Sequence, residues 1–417
     1  MRIVKNSVRS GAALAAVALF GVGCLGPGKW FPDSHPAAPG VLLMSRLAPD
    51  RVEPEPVLPE IPARKKARMC CAFGTDLRVK LGDLQIPWLK VGSVLDLHEL
   101  GPHRYDGATA AIDDRRPNAF PRGEANGLLY TCNAGFIDTA HVRETVDWSA
   151  YFVAQLDRHL ERGATIALSP EGAERRLVIH PAPPELIERY GRYELIVALA
   201  QWIAYEASVW HEIAQWYGWS LVTLYPETLS GFSPEDPISN AIGVKLLSGA
   251  DVEQVLGSEL TYNRHVDQLI QKSLAELNPV PAEVGEEVVR ALDDVWWDSQ
   301  ASLPENALVR RRYLDTDTEL EAWLLPDHLA SPELRTKLAE HCGQSPQPAV
   351  IHIPDSLGGV PFSELATLEI TPEGRTAEQP IMRELGFPIT QEDFPRLMEQ
   401  VKAETVAAFG PGADRPE

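Results

Sequence analysis

Apolar residues recur every three or four positions through the middle of the chain, and this spacing predicts a series of α-helices. The first predicted helix covers residues 139–162 and is stopped by Gly163. A longer helix is predicted over residues 184–218, and Gly191 marks a point at which it can bend. The middle of the chain is therefore predicted to be mainly helical.

The next helix is predicted within residues 232–249, where the signals for a helix start lie close together. Ser233 is a suitable N-cap, Pro234 takes the first helical position, and Asp236 completes a pair that resembles a capping box. More helices are predicted up to about Asp298.

Short runs with strand-like composition alternate with these helices. Residues 164–180 predict a β-hairpin, and the run GLLYTC before the first helix predicts a short strand. After residue 307 the pattern changes to short strands (LEAWLLP, PAVIHIP and LATLEIT) between small helices. The predicted fold class is α+β, with a predominantly helical central body, short strands and hairpins, and a smaller C-terminal α/β lobe.

The first residues of the chain predict a targeting segment. A basic start with Arg2, Lys5 and Arg9 is followed by a short apolar run and then Cys24, which is typical of a bacterial lipoprotein signal peptide with a lipidated cysteine. Gly21 departs from the usual pattern, and an ordinary signal peptide or a short anchor is the alternative. Leu25 favours the outer membrane over the inner one. No later segment is apolar and long enough to predict a membrane span.

These patterns divide the chain into four parts. They are a signal peptide (1–23), a lipidated cysteine with a proline-rich tether (24–69), a mainly helical core domain (70–300), and a smaller C-terminal α/β lobe with a frayed tail (301–417). The basic run at 63–68 reads as a solvated loop, with contact to anionic head groups as the alternative. We expect the protein to lie on the bacterial envelope, at the periplasmic face or the cell surface of the outer membrane.

Net charge and cysteine content limit the partners and the chemistry. A net charge of −21 argues against nucleic acid as a partner, because binding to phosphates needs a basic face. Four cysteines follow Cys24, and an even number in an oxidising compartment allows two disulfides without fixing their pairing. These four are Cys70, Cys71, Cys132 and Cys342.

The helix at 184–218 carries a histidine next to a glutamate and a carboxylate in an unusual place. His211 and Glu212 begin a HExxH pattern, but Gln215 stands where the second zinc-binding histidine is needed, so a zincin is excluded. Glu206 lies in the middle of an apolar seam, where a carboxylate is costly unless it is paired. The alternative is structural. In it His211 is buried and hydrogen-bonded, Glu206 pairs with an arginine, and neither residue has a functional role.

A second group of polar residues lies at the start of the 139–162 helix. Asp138 and His141 are three residues apart, so both can face one metal ion or one proton-transfer site. A capping aspartate followed by a first-turn histidine is the alternative. Arg143 forms an i,i+4 surface pair with Asp147 or neutralises Glu206 across a helix interface.

Two further residues are weaker candidates. Cys132 with a histidine could act as a thiol nucleophile, although a disulfide or simple burial is the commoner outcome. His103, in the loop LGPHRYDG, could supply a third metal ligand, and a surface histidine is the alternative.

Three segments together resemble a known bacterial family. The segments YTCNAGFIDTAHVRETVDW, YEASVWHEIAQWYG and FSPEDPISNAIG, in this order and spacing, are similar to the domain of unknown function 4056, over roughly residues 70–300. The resemblance implies an envelope lipoprotein and no particular activity. It places the following residues at the family's motif positions: Asp138, His141, Arg143, His211, Glu212, Glu235, Asp236, Ser239 and Asn240.

Three hypotheses follow for the function of an envelope-anchored lipoprotein. The first is a metal-assisted hydrolase in which Asp138, His141 and His211 bind a divalent metal such as zinc, while Glu212 or Glu206 acts as base. Its substrate would be an envelope polymer or lipid, because of the expected location. The second is a non-catalytic scaffold or binding lipoprotein with a protein partner, in which the polar motif residues form a structural network. The third is a thiol hydrolase or acyltransferase that uses Cys132.

Overall fold

The structure, a computed structural model, describes residues 30, 56–65, 67–68, 72–81, 84–91, 94–107, 124–220, 227–305, 308–315 and 318–416. Cys24, Cys70 and Cys71 lie outside the described residues. The fold is α+β, as predicted. None of the helices in the described ranges is long and apolar enough to cross a membrane.

Helices make up most of the regular structure. Their bounds are α1 Thr139–His159, α2 Pro184–Tyr190, α3 Arg192–Trp216, α4 Asp236–Lys245, α5 Val252–Val255, α6 Glu259–Glu276, α7 Ala282–Ala291, α8 Pro332–Cys342, α9 Gly374–Glu378, α10 Pro380–Leu385 and α11 Phe394–Phe409.

The strands are short and form small sheets. Their bounds are β1 Leu77–Leu81, β2 Leu84–Val91, β3 Leu128–Thr131, β4 Gly135–Asp138, β5 Ala164–Leu168, β6 Ala173–Ile179, β7 Ser302–Leu303, β8 Glu319–Glu321, β9 Val350–His352, β10 Ser356–Leu357, β11 Val360–Pro361 and β12 Ala366–Pro372. Two sheets have three strands, in the orders β2-β1-β7 and β12-β6-β5, and the pairs β3-β4, β8-β9 and β10-β11 complete the set among the described residues.

Most of the predicted elements are confirmed, with two corrected boundaries. The predicted 184–218 helix is two helices, because Gly191 has a φ of 90° and breaks the backbone between α2 and α3. Helix α4 begins at Asp236 rather than beside Ser233. The Asp236 carboxylate does accept a hydrogen bond from the Ser233 backbone N–H at 2.9 Å, so the predicted capping contact is present in the turn before the helix.

The segment after residue 300 packs into the central body rather than as an independent lobe. Strand β12 pairs along its whole length with β6 of the central hairpin, with Leu368 opposite Leu177. Strand β7 pairs with β1, near the start of the described body. Phe362 and Met382 belong to the same hydrophobic cluster as the buried faces of α1 and α3.

The predicted extended tether is wrong for residues 56–68 and for Trp30. Trp30, Leu58 and Ile61 are each at most 3% exposed and pack in the main hydrophobic core. Arg64 and Arg68 of the predicted solvated loop are also buried, because carboxylates from elsewhere in the chain neutralise them. The N-terminal segment is thus part of the folded body at these positions.

Candidate functional site

Three helices bring the candidate residues together. Helix α1 packs against both α3 and α4, and the crossing of α1 and α4 is very close at Gly243. A Cβ atom at that position would collide with the Val142 carbonyl and the Thr145 hydroxyl. The Thr145 hydroxyl lies within hydrogen-bond distance of two carbonyls, that of His141 on α1 at 2.9 Å and that of Asn240 on α4 at 3.1 Å. The absence of a side chain at residue 243 therefore sets the distance between the polar residues of the two helices.

Asp138 is the last residue of β4 and the N-cap of α1, as predicted. Its Oδ1 atom accepts a hydrogen bond from the Ala140 backbone N–H at 2.7 Å. Its own backbone N–H donates to the Ser239 hydroxyl at 2.9 Å, and that hydroxyl donates to the carbonyl of Glu235 at 2.6 Å. Ser239 thereby links the start of α1 to the start of α4.

His141 lies one turn into α1 and faces α4. Its Nδ1 atom is 3.1 Å from the Asn240 Oδ1 atom, and because an amide oxygen only accepts, Nδ1 carries a hydrogen in this contact. Its Nε2 atom is 3.1 Å from Asp236 Oδ1. A ring nitrogen and a carboxylate oxygen at this distance must share a proton or a cation between them.

Asp138, His141 and Asp236 form a group with the spacing of a metal site. One ligand atom from each residue lies within 4.8 Å of the others, and the three residues are buried. This is the only such group of histidine, cysteine and acidic residues in the ranges that the structure describes. Two carboxylates and an imidazole are ligands that suit zinc and similar divalent metals.

Two more buried carboxyl groups surround this trio. Glu212, on α3, accepts a hydrogen bond from the Phe232 backbone N–H at 2.8 Å through Oε2, and its Oε1 lies 3.8 Å from His141 Nδ1. Glu235 is 2% exposed, and neither of its carboxyl oxygens has a hydrogen-bond partner in another described residue. Burial, together with the charges of Asp138 and Glu212, raises the pKa of Glu235 to about 8.

The carboxyl groups around His141 raise its pKa. Burial alone would lower the pKa of His141, but the negative charges of Asp236, Asp138, Glu212 and Glu235 outweigh it and raise that pKa to about 10. Without a bound cation, His141 is therefore an imidazolium at neutral pH. The imidazolium proton occupies the place that a metal ion would take, so metal and proton compete for Nε2.

Besides His141, Arg312 is a second cation near the trio of Asp138, His141 and Asp236. Among the described residues, it makes no ion pair with the carboxylates around His141. Its guanidinium donates to the carbonyls of Leu229, Gly231 and Val309, at 2.7, 2.8 and 3.0 Å. Burial lowers its pKa to about 10, against the opposing charges of the acidic cluster. Four carboxyl groups, those of Asp138, Glu212, Glu235 and Asp236, lie around His141 in a region that is almost completely buried. Buried carboxylates are costly unless cations or hydrogen-bond donors face them.

His211 lies next to this group but is not one of the three. Its ring centre is 6.1 Å from that of His141. Its Nδ1 atom is 3.4 Å from the Glu171 carboxylate, and its Nε2 atom is 3.0 Å from the side-chain nitrogen of Gln215. His211 therefore stays a predicted ligand that the structure does not place in the trio, because both of its ring nitrogens face other side chains.

Glu206 does not belong to the site either. Burial alone raises its pKa to about 8, and none of the charged residues of the trio contributes to this shift. Arg143 does not neutralise it, since that guanidinium bonds Asn126 and the carbonyls of Ala125 and Gly101. The prediction of Glu206 as a catalytic base is therefore not supported, whereas Glu212 does lie at the site.

His103 belongs to a separate buried network. Its Nε2 atom is 3.0 Å from Asp147, and the same carboxylate accepts from the Tyr262 hydroxyl at 2.6 Å and pairs with Arg64 at 2.7 Å and Arg68 at 2.9 Å. Both predictions for His103, a third metal ligand and a surface histidine, are wrong. The predicted surface pair of Arg143 and Asp147 is also wrong, because both side chains are fully buried.

Cys132 forms a disulfide with Cys342. A sulfur in a disulfide has no thiolate to act as a nucleophile, so the structure contradicts the third hypothesis, a Cys132 thiol enzyme. The bond joins the β3–β4 turn to the C-terminal end of α8.

One known protein family matches more than half of the chain. A family model described as "Protein of unknown function (DUF4056)" matches residues 58–326, more than half of the chain. The chain belongs to this family. The matched range contains all three helices of the site, and it extends beyond the predicted 70–300 at both ends. No curated protein and no solved structure gives a significant match to the chain.

The structure places most of the motif residues of this DUF4056 chain in one cluster. Those that meet around the trio are Asp138, His141, Glu212, Glu235, Asp236, Ser239 and Asn240. Arg312 and Glu171 were not found by sequence reasoning. Arg312 ends a run of three arginines, which by itself is typical of a solvated loop, and Glu171 occupies a hairpin turn, so no local signal marks either residue.

Proposed function

We propose that this protein is a metal-dependent hydrolase, held in the bacterial envelope by a lipid on Cys24. The metal would be a divalent ion such as zinc, bound by Asp138, His141 and Asp236. The observation that carries the proposal is the metal-like spacing of Asp138, His141 and Asp236, beside a buried Glu235 with no hydrogen-bond partner in another described residue.

The donor set fits a catalytic metal better than a purely structural one. Three protein ligands leave a coordination position open for water or substrate, which is the usual arrangement in catalytic zinc sites. A metal there would supply Lewis acidity and lower the pKa of bound water. Asn240 would fix the His141 ring through Nδ1, as an outer hydrogen bond to a metal-binding histidine generally does.

Glu235 is the residue best suited to move a proton in this site. Its pKa of about 8 lies close to neutral pH, which is the range in which a general acid or base works most efficiently. A cation beside it would lower that pKa and leave a carboxylate able to accept a proton from water. Glu212, oriented by the Phe232 N–H, is the second carboxylate within reach of His141.

The proposed substrate class follows from the expected location. The N-terminal pattern that ends at Cys24 favours an outer-membrane lipoprotein, so the substrate would be an envelope polymer or a lipid. The strongly acidic chain argues against nucleic acid.

A structural role for the same residues is the competing proposal. It is favoured by the almost complete burial of the cluster and by the bonds that Ser239 and Asn240 make between α1 and α4. In that case the protein would be a non-catalytic envelope scaffold, and the cluster would only fix the packing of the helices.

Metal analysis of protein purified without chelator separates the two proposals. The hydrolase proposal expects about one equivalent of divalent metal, lost in His141→Ala and retained in the matched variant His352→Ala, whose histidine is exposed on β9. Less than about a tenth of an equivalent after reconstitution with zinc or manganese, and no difference between the two variants, would rule the proposal out.

Hydrolysis itself is tested by release of soluble fragments from isolated cell envelopes. We expect the metal-loaded protein to release them and Glu235→Gln to reduce the rate by about 10²–10⁴-fold while keeping its metal. Equal rates for the two proteins would remove Glu235 from the mechanism, and no release by either would favour the scaffold.

A further inference from the structure

Trp30 fixes the N-terminal segment to one place on the folded body. Its ring is 1% exposed and packs against Tyr105 and Tyr262, at centroid distances of 5.2 and 5.0 Å. Its backbone N–H lies near the carboxyl group of Glu259, in the first turn of α6, and opposes the rise in pKa that burial gives this group. The chain therefore meets the body beside the N-terminus of α6.

The docking of Trp30 leaves very little chain between the body and the proposed lipid. Trp30 follows Cys24 by six residues, and six residues span at most about 20 Å when fully extended. The predicted tether of some forty residues would have let the body move far from the membrane and turn freely. A link of this length keeps one face of the body near the lipid head groups.

The outer surface of α6 has the composition of a membrane-facing surface. Four exposed residues follow one another at i,i+4 spacing on this face, which we call the α6 stripe: Leu260, Arg264, Gln268 and Lys272. Leu260 is 70% exposed and lies two residues before Tyr262, against which Trp30 packs. No acidic residue falls on this line before Glu276, although the chain as a whole has a net charge of −21.

We propose that the α6 stripe rests on the anionic head groups of the membrane to which Cys24 is anchored. The proposal rests on the lipidation of Cys24, which is part of the proposed function. Arg264 makes no ion pair with any described residue, and Lys272 has only a long, exposed contact of 3.9 Å with Glu276, so both cations can face phosphate groups. Leu260 would enter the interface between head groups and acyl chains, near the docked Trp30.

A fluorescence experiment on the full-length, lipidated protein tests this orientation. The protein is placed in vesicles that contain anionic lipid and a head-group quencher. A clickable non-natural residue carries the fluorophore at position 260 in one sample and at position 387 in the other. Phe387 is the matched control, since it is 50% exposed and its neighbourhood packs on β12 through Ile389. We expect quenching at 260 to exceed quenching at 387 by about threefold or more, and equal quenching would overturn the proposal.

Two sets of variants test the causes separately. The double variant Arg264→Glu with Lys272→Glu should reduce quenching at position 260. The control, Arg335→Glu with Arg383→Glu, changes the net charge equally at two other exposed positions and should not reduce it. A flexible insertion of about 30 residues between Cys24 and Trp30 should also reduce it, because the body would then be free to move away. If neither change has an effect, the stripe does not hold the orientation and the proposal fails.

The mass of the purified protein separates this inference from the proposed function. A chain without lipid on Cys24 would overturn both the anchor and the membrane contact of α6. A lipidated chain with equal quenching at 260 and 387 would overturn only the orientation. Metal content and fragment release are measured independently, so neither result decides the hydrolase proposal.

Discussion

Glu235 is the residue at which the functional and the structural interpretations differ most. A carboxyl group that only stabilised the fold would be expected to have donors, yet neither of its oxygens bonds to another described residue. Its neighbours Asp138 and Glu212 are also acidic, so burial beside them destabilises its ionised form, and the charge of His141 offsets this only in part. A bound divalent ion would remove this conflict.

The stability of the metal-free protein should depend on pH through Glu235. Its folded pKa of about 8 is above its ordinary value of 4.5, so the unfolded chain loses the proton first and the stabilisation by protonation is lost as pH rises from about 4.5 to 8. We expect Glu235→Gln to make thermal unfolding measured between pH 5 and pH 8 less dependent on pH. Some pH dependence should remain in this variant. His141 loses its stabilising positive charge between about pH 6.5 and pH 10, so the free energy of unfolding still falls as pH rises through that range.

Glu206→Gln provides the control for that measurement. The pKa of Glu206 is also raised to about 8, so replacing this residue should likewise make stability less dependent on pH. Unlike Glu235, Glu206 lies outside the proposed metal site. Zinc should therefore stabilise Glu206→Gln as much as the unmodified protein. Loss of the zinc effect in Glu206→Gln, or an unchanged pH dependence in Glu235→Gln, would contradict the assignment of these two carboxyl groups.

The sequence predicts two of the three residues of the proposed metal site. Asp138 and His141 are three residues apart at a helix start, and that spacing alone places them on one side of α1. Asp236 comes from a different helix, and its meeting with His141 depends on how α4 crosses α1, which no local pattern contains. His211 is predicted as a ligand from its place beside Glu212 in a helix rich in polar motif residues, but its Nδ1 atom faces Glu171, which comes from the β5–β6 hairpin.

Helices α1 and α4 depend on Gly243 for their close approach. The nearest atoms that a Cβ would meet include the Val142 carbonyl, which belongs to the helix backbone and cannot move aside. The residues on either side of this contact, His141 on α1 and Asn240 on α4, hold the two parts of the site together. The geometry of the proposed metal site thus depends on how the two helices pack.

Gly243→Ala should damage the site more than it damages the fold. Forcing α1 and α4 apart should lower the free energy of unfolding by about 1–3 kcal/mol and weaken zinc binding by at least about tenfold, as measured by calorimetry. The control is Val244→Ala, which removes buried volume at the next position without placing an atom between the helices and should cost about 2 kcal/mol. Equal zinc affinity in the two variants would show that the helix crossing does not set the site.

The disulfide between Cys132 and Cys342 should contribute stability and no chemistry. It joins residues 210 positions apart, and a crosslink that closes a long loop restricts the unfolded chain. We expect Cys132→Ser with Cys342→Ser to lower the free energy of unfolding by about 2–4 kcal/mol in urea, with metal content unchanged. A folded double variant that lost hydrolysis while it kept its metal would restore Cys132 as a candidate nucleophile.

Element prediction succeeded where the periodicity was long and failed where a tertiary contact decided the outcome. Helix α1 and the β5–β6 hairpin were predicted within a few residues, because their patterns are continuous and Gly163 marks the boundary between them. The start of α4 was placed too early, since the Ser233 N–H bonds Asp236 in a turn that precedes the helix. The spacing of Ser233 and Asp236 fits both an isolated turn and the first turn of a helix, so the sequence alone does not distinguish them.

The N-terminal segment shows what the sequence could not predict for the whole molecule. Its prolines and two arginines are typical of a solvated tether, and only the folded body reveals that Arg64 meets Glu144 and Asp147 while Arg68 meets Glu124. These partners lie 56 to 83 residues away in sequence. The prediction of a separate C-terminal lobe fails for the same reason. Strand β12 pairs with β6, which lies much earlier in the sequence.

The most direct test of the central claim is a crystal structure of the zinc- or manganese-loaded protein with anomalous data at the metal edge. We expect one strong anomalous peak bonded to Asp138, His141 and Asp236, at about 2.0–2.2 Å from the His141 Nε2 atom and the carboxylate oxygens. His141→Ala crystals treated in the same way should lack the peak. An ordered site without anomalous density, in which His141 Nε2 still contacts Asp236 directly, would contradict the metal centre and favour a structural network.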